Sequence, residues 1–392
     1  MNNRFLEINH YQEHKYNQQV AGDAFMSQKV AEENRIISVL SDGLGSGIKA
    51  AVLATLTSAM AKNFVARNVD VKRTAEIIMR TLPVCKVRKI SYSTFTIVDI
   101  EEDHTVKIIE YGNPRFLLVR SGKVKDSDDI IEKVNLGEYK TDSLNYYSFQ
   151  LEKNDRIIYF SDGITQSGMG TNNYPFGWTR DGVVGFTEQR IDESPFISAA
   201  ELSWNIVLRA KTNDNYKCKD DTTCGVIYSR NPRRTLVVTG PPYDKNKDRE
   251  MARLVSDFDG KKILCGGTTA NIIARELDKT IKVDIDNLDP NIPPYSTMNG
   301  IDLITEGIIT IVNVRSLLLS GKPTGRNSNA AEKVVNELLN SDIINFVVGT
   351  KINEVHQDPN IPEDLALRKT IIREIIKILE DKYLKKVTVR FI

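Results

Sequence analysis

Through the first 230 positions, apolar residues come mostly in short runs or in alternation, and only a few stretches repeat at helical spacing. Residues 5–15 read as a mixed strand. Residues 36–40, Ile-Ile-Ser-Val-Leu, read as a buried one, with β-formers and almost nothing polar. Residues 47–66, rich in Ala, Leu and Met, predict a helix, and 71–82 a second, closed by Pro83. Strands follow at 91–100, 106–109 and 116–119, then a pair within 136–151, then one from Arg156. Residues 169–180 read as a loop of Gly, Asn and aromatics, 192–210 as a helix, and 220–228 as a closing strand. Many strands, helices in two pairs and no strict alternation predict two packed, mostly antiparallel sheets with helices outside.

Past Asn231-Pro232-Arg233-Arg234 the pattern changes. Strands at 235–239, 261–265 and 281–285 alternate with helices at 247–257 and 268–277. That alternation predicts a three-layer α/β domain with a partly parallel sheet. A Pro-rich loop at 289–299 precedes an apolar helix at 301–319, which Asp302 is expected to cap. Asn327 or Ser328 is expected to cap a helix at 330–339. A strand at 343–348, an amphipathic helix at 363–383 (Ile371, Ile375, Ile378 and Leu379 on one face) and a strand at 387–392 complete the reading. The expected division is 1–230, a linker at 231–234, and 235–392.

Composition narrows the field. At 392 residues the chain has room for two cores. Lys plus Arg number 53 and Asp plus Glu 52, so a net charge of +1 gives no overall attraction to nucleic acid or anionic membrane. No apolar run approaches a bilayer span and no signal peptide opens the sequence, so a soluble, cytoplasmic protein is expected. Cys85, Cys218, Cys224 and Cys265 are too few and scattered for a disulfide framework. His10, His14, His104 and His356 are not spaced as a metal cluster.

The chemistry gathers at strand ends. Residues 36–40 run into Ser41-Asp42-Gly43-Leu44-Gly45-Ser46-Gly47 and then a helix. An aspartate on a buried strand tip is costly unless something positive compensates it. One Asp-Gly alone reads as a turn. Here it recurs: residues 156–160 end in Ser161-Asp162-Gly163, Asp220-Asp221 open the closing strand, and Gly22-Asp23 precede an early one. Oxygen-rich clusters of this kind suit hard divalent cations. Rival chemistries fit less well. Cys224 and Arg230 have cysteine-phosphatase spacing, but the residues between them form a strand, not a phosphate loop. Gly266-Gly267-Thr268-Thr269 lacks the lysine of a nucleotide-binding loop. Lying between strand and helix, its amides could hold an anion, or it is a plain turn capped by threonine.

Gly22-Asp23, Ser41-Asp42-Gly43 with its glycines, Tyr111-Gly112-Asn113-Pro114, Phe160-Ser161-Asp162-Gly163-Ile164-Thr165 and Asp220-Asp221-Thr222-Thr223 stand in the order of the SpoIIE-like metal-dependent protein phosphatases, the bacterial branch of the protein phosphatase 2C superfamily, which the first 230 residues resemble. The resemblance implies a four-layer αββα sandwich and hydrolysis of phosphoserine or phosphothreonine by a water bridging two divalent cations, Mn²⁺ or Mg²⁺, without a covalent intermediate. It implies that Asp23, Asp42 and the Gly43 carbonyl serve one ion and that Asp42, Asp162 and Asp220 serve the other, with Asp221 the alternative to Asp220. The phosphate-binding arginine of the eukaryotic branch is absent, and Lys15 is the nearest cation. A phosphorylated regulator of the anti-sigma-factor-antagonist type is the implied partner. The alternative is a phosphatase fold of weak activity, used for binding or signalling and gated by a ligand at 235–392, a domain with a regulatory or docking role. Oligomeric state stays open, with a homodimer among the options.

Overall fold

The computed structural model describes residues 4–30, 35–45, 47–81, 93–125, 131–135, 143–283, 296–320, 329–351, 362–383 and 385–392. It divides into two compact units, Met1–Asn231 and Pro232–Ile392.

In the first unit the order is β1 (Phe5–Glu13), β2 (Asp23–Val30), β3 (Arg35–Gly43), α1 (Ile48–Ala66), α2 (Val71–Thr81), β4 (Ser93–Ile100), β5 (Thr105–Tyr111), β6 (Leu117–Arg120), β7 (Lys123–Lys125), β8 (Ile131–Asn135), β9 (Ser143–Gln150), β10 (Arg156–Phe160), α3 (Asp162–Thr165), α4 (Thr179–Glu193), α5 (Ala199–Asn213) and β11 (Thr222–Arg230). Among the described residues these strands form two sheets, β1-β11-β10-β6-β7 and β2-β3-β4-β5-β9-β8. Leu40, Val98 and Ile108 of one sheet meet Leu118, Ile157 and Ile227 of the other in a shared core. Ala61 and Val65 of α1 and Ala75 and Ile78 of α2 cover the outer face of the β3 sheet. Val183 and Ile191 of α4 and Leu202 and Ile206 of α5 cover the outer face of the β11 sheet. This layering explains why β3 does not alternate. Ile37 and Val39 face helices while Leu40 faces the other sheet, so apolar side chains are wanted on both faces. Each such buried side chain contributes about 1.5–3 kcal/mol.

One stretch differs from the sequence reading. The loop expected at 169–180 is present as turns up to Trp178, but it is followed by an unexpected helix, α4, and the helix expected at 192–210 starts only at Ala199. Gly182, Gly185 and β-branched Val183, Val184 and Thr187 are poor helix formers, which hid α4. Packing overrides them: Val183, Thr187 and Ile191 fall at spacings of four and are buried. A Cβ at Gly182 would sit 2.4 Å from the Trp178 ring, so glycine is required there.

The second unit runs β12 (Arg234–Thr239), α6 (Asp248–Ser256), β13 (Lys261–Cys265), α7 (Gly267–Glu276), β14 (Ile281–Val283), β15 (Ser296–Met298), β16 (Ile301–Thr305), α8 (Ile308–Ser320), α9 (Ala330–Asn340), β17 (Ile343–Val348), α10 (Pro362–Asp381) and β18 (Lys386–Phe391). The strand order is β14-β15-β16-β13-β12-β17-β18. It is parallel from β16 through β18 and antiparallel at β14 and β15. Met251 and Val255 of α6 and Ala270 and Ile273 of α7 pack on one face. Ile311 and Val314 of α8, Val335 of α9 and Ile375 and Leu379 of α10 pack on the other.

Two expectations fail in this unit. The apolar run at 301–319 is a strand and then a helix, broken at Gly307. A five-residue apolar segment fits either period, and pairing with β13 decides it. Asp302 therefore caps nothing. Its carboxylate accepts from Lys261 Nζ and the Lys262 amide, each at 2.9 Å. Asn329 caps α9 in a reciprocal pair with Glu332. Asn327 and Ser328, expected in that role, lie outside the described residues, as do Pro83, all of 136–142 and most of 289–299.

Candidate metal centre

The carboxylates predicted from sequence come together at one end of the first unit. Antiparallel pairing sets Asp23 of β2 opposite Asp42 of β3. Asp162 is the first residue of α3, directly after β10, and Asp220-Asp221 lead into β11. The glycine of each Ser-Asp-Gly string is required for space. A Cβ on Gly43 would stand 2.1 Å from Ala50 O, and one on Gly163 2.1 Å from Asp221 O. The two serines lock strand tips. Ser41 Oγ donates to Thr94 O at 2.9 Å, and Ser161 Oγ accepts the Thr223 amide at 3.0 Å. The Tyr111-Gly112-Asn113-Pro114 turn braces the same end. Asn113 Oδ1 accepts from Thr94 Oγ1 at 2.5 Å, and Thr94 lies opposite Asp42.

Asp23 is buried, 6% exposed. Its Oδ2 accepts from Thr223 Oγ1 at 2.6 Å, and its Oδ1 finds no hydrogen-bond partner among the described residues. Burial above all, with the charges of Asp221 and Asp162, pushes its pKa up to about 7 against the pull of Thr223 and Ser161. Burial, and then Asp23, Asp162, Asp220 and Asp221, push Asp42 up to about 9. Asp162 is raised by burial and by Asp220, opposed by Gln166 Nε2, which donates to it at 2.7 Å. Asp220 is the open member, its side chain 44% exposed and 3.5 Å from Lys15 Nζ.

Asp221 has a different place. Both its oxygens accept main-chain amides, Lys15 N at 3.0 Å and Gly22 N at 2.8 Å. It clamps the segment that carries Asp23, whereas the Asp220 carboxylate is left open. Thr223, Ser161 and the Lys15 amide are contributors that sequence reasoning did not assign. Thr223 stood inside a recognised string, but its bond to Asp23, 200 positions away, is set only by the sheet.

The donor set fits divalent cations. It consists of oxygen only, it carries like charges whose ionisation burial and repulsion oppose, and it includes one buried carboxylate oxygen without a partner. Among the described residues no three Asp, Glu, His or Cys side chains already close around one point. The predicted anion-binding residues Gly266, Gly267, Thr268 and Thr269 lie in the other unit, where β13 passes into α7.

The two-sheet fold and carboxylate cluster mark the first unit as a phosphatase-type domain. The chain belongs to the SpoIIE family: the profile of stage II sporulation protein E (SpoIIE) matches residues 32–229. A search of curated proteins gives no match. Similar solved structures include the PP2C phosphatase domain, with a fragment of the regulatory domain, of SpoIIE from Bacillus subtilis (18% identity over 58% of this chain, TM-score 0.48). This chain spans 64% of the length of that one. The RsbU and RsbW domains of Rv1364c from Mycobacterium tuberculosis align at 15% identity over 64% of this chain and 67% of that one, TM-score 0.45. RsbX in complex with magnesium aligns at 19% over 58% and 97%, TM-score 0.41. Among the described residues no helix is long and apolar enough to cross a membrane.

Proposed function

We propose that the first unit is a metal-dependent protein phosphatase that hydrolyses phosphoserine or phosphothreonine on a regulatory protein of the cytoplasm. The observation that carries this reading is the convergence of Asp23, Asp42, Asp162 and Asp220, from four separate segments, on one end of the two sheets. Asp23 and Asp42 would hold one cation with the Gly43 carbonyl; Asp42, Asp162 and Asp220 would hold a second. When bound, Mn²⁺ or Mg²⁺ supplies Lewis acidity that lowers the pKa of water and neutralises phosphoryl oxygens. The chain's own part is to keep these carboxylates at fixed strand ends. Thr223 orients Asp23, Gln166 orients Asp162, and Asp221 fixes the backbone before Asp23. Family membership supports a phosphorylated regulator, of the anti-sigma-factor-antagonist type, as the partner.

The test is phosphate release from p-nitrophenyl phosphate and a phosphothreonine peptide with Mn²⁺, wild type beside Asp42→Ala. Release that needs the metal and vanishes in the variant is expected. The second reading is a phosphatase fold of weak turnover used as a binding or signalling module and gated by a ligand in the second unit. Metal binding by calorimetry with no release from either substrate would select it. No metal binding at all would overturn the enzyme reading and leave the binding module.

A further inference from the structure

The carboxyl edge of the second unit's parallel sheet holds an arrangement that phosphate-ester hydrolysis in the first unit does not use. Strands β13 and β16 are parallel neighbours, with Cys265 level with Thr305. Each enters a helix through glycine, Gly266-Gly267 into α7 and Gly307 into α8. The two turns touch. Gly266 N donates to Thr305 O at 2.8 Å, and a Cβ on Gly307 would lie 3.6 Å from the Gly266 α-carbon. Two helix N-termini therefore open side by side. The amides of Gly267, Thr268 and Thr269, and of Ile308, Ile309 and Thr310, belong to first turns, which have no helical carbonyl to bond. No side chain caps α7, and neither first turn contains an acid.

The side chains repeat the pattern. Thr269 and Thr310 are each the third residue of their helix, 1% and 0% exposed, and neither hydroxyl oxygen finds a partner among the described residues. An unmatched buried polar group costs about 1–3 kcal/mol. Thr269 Oγ1 is the atom nearest to the place a Cβ on Gly266 would fill, 3.4 Å from it, with the Gly307 α-carbon at 3.8 Å. It thus faces the hollow between the two glycines. Thr239, ending β12 beside β13, has a third buried hydroxyl without a partner. Gly267 and Thr268 are exposed, and nothing lies within 4 Å of a Cβ built on Gly267, so the hollow is open to solvent. Glu306, exposed beside Gly307, is the adjacent negative charge.

We propose that this hollow binds a phosphate group, free or on a small metabolite. Two helix dipoles and up to six uncommitted amides favour a compact dianion without any cationic side chain. Parallel α/β sheets take ligands at the carboxyl ends of their strands. The inference rests on the second unit alone and stands or falls apart from the phosphatase reading.

The experiment uses the full chain stripped of metal with EDTA, so that cations in the first unit do not attract phosphate. Inorganic phosphate, glycerol 3-phosphate and AMP are titrated by calorimetry and by amide NMR shifts. Saturable binding that moves the amides of 267–269 and 308–310 is expected. Tighter binding of an ester than of inorganic phosphate assigns a metabolite, and the reverse assigns free phosphate. Gly267→Asp places a carboxylate where the helix dipole accepts it and a Cβ has room, so the fold should hold while affinity falls about tenfold or more. Thr268→Glu is the second variant of the same kind, and Glu306→Gln should strengthen binding. Absence of binding for all three probes, or binding unchanged in both acidic variants, overturns the proposal.

Discussion

Cation binding in the first unit should release protons, and its strength should climb steeply with pH. Without metal, Asp23 titrates at about 7 and Asp42 at about 9, because burial and mutual repulsion oppose their ionisation. A ligating carboxylate must be ionised, so each cation that engages them displaces whatever protons they hold. The sign follows directly. At pH 6 both groups hold protons and binding works against them; at pH 8 Asp23 has released its own. Asp42 then contributes about one decade of affinity per pH unit between 6 and 8, and Asp23 about one decade over the whole interval. The expected gain is about a thousandfold, or about 4 kcal/mol. Titrating Mg²⁺ into metal-free protein by calorimetry, in two buffers of different ionisation heat, reads affinity and released protons together. About one and a half protons should leave at pH 7. Asp42→Asn should remove the larger part of the slope while leaving that of Asp23. Affinity that stays flat between pH 6 and 8, with no buffer-dependent heat, would refute the assignment of these two carboxylates as ligands.

Three further outcomes are expected. Glu110 is buried at 2% exposure, and burial pushes it up to about 7 from an ordinary 4.5. The folded state therefore keeps a proton that the unfolded chain releases, and stability falls by about 3 kcal/mol as pH rises from about 4.5 to about 7. Glu110→Gln should match wild type near pH 4 and exceed it above pH 7. Urea unfolding followed by Trp178 and Trp204, the chain's two tryptophans and both in the first unit, measures this without interference from the second. Asp221→Asn puts an amide group among main-chain donors and should cost about 1–3 kcal/mol while weakening Mg²⁺ less than Asp42→Asn does; equal weakening would make Asp221 a ligand. Gly43→Ala must push α1 away from the strand tip, so a loss of about 3 kcal/mol and of Mg²⁺ binding is expected, and normal binding would discount the close approach.

The strand tips and their aspartates were legible because burial and turn chemistry are local. Residues 36–43 announce a strand that is apolar on both faces and then a carboxylate, whatever surrounds them. The partners of those aspartates were not legible. Thr223 reaches Asp23, and Asp221 reaches Gly22, across sheet pairings that no local pattern encodes. Asp221 and Asp220 look alike in sequence, and only the amides around the former distinguish clamp from open carboxylate. Two elements misled for propensity reasons. Glycines and β-branched residues concealed α4, and the short apolar run at Ile301 fitted a helix as well as a strand. Reading Asp302 as a cap hid the second glycine turn, at Gly307, and with it the pairing of the α7 and α8 N-termini.

The place of β11 has a consequence for synthesis. It is the last strand of the first unit to leave the ribosome, yet it lies between β1 and β10 and pairs with β1 from Phe5↔Arg230 to Glu13↔Thr222. Until some 220 residues have emerged, β1 has no neighbour in its sheet among the described residues, and Asp23 lacks both Thr223 and the clamp of Asp221. Non-local closure of this kind is slow and leaves strand edges exposed to nascent-chain aggregation and chaperones. It also means that a truncated or stalled chain cannot gather its carboxylates, so the carboxylate-bearing end forms only when the whole first unit exists.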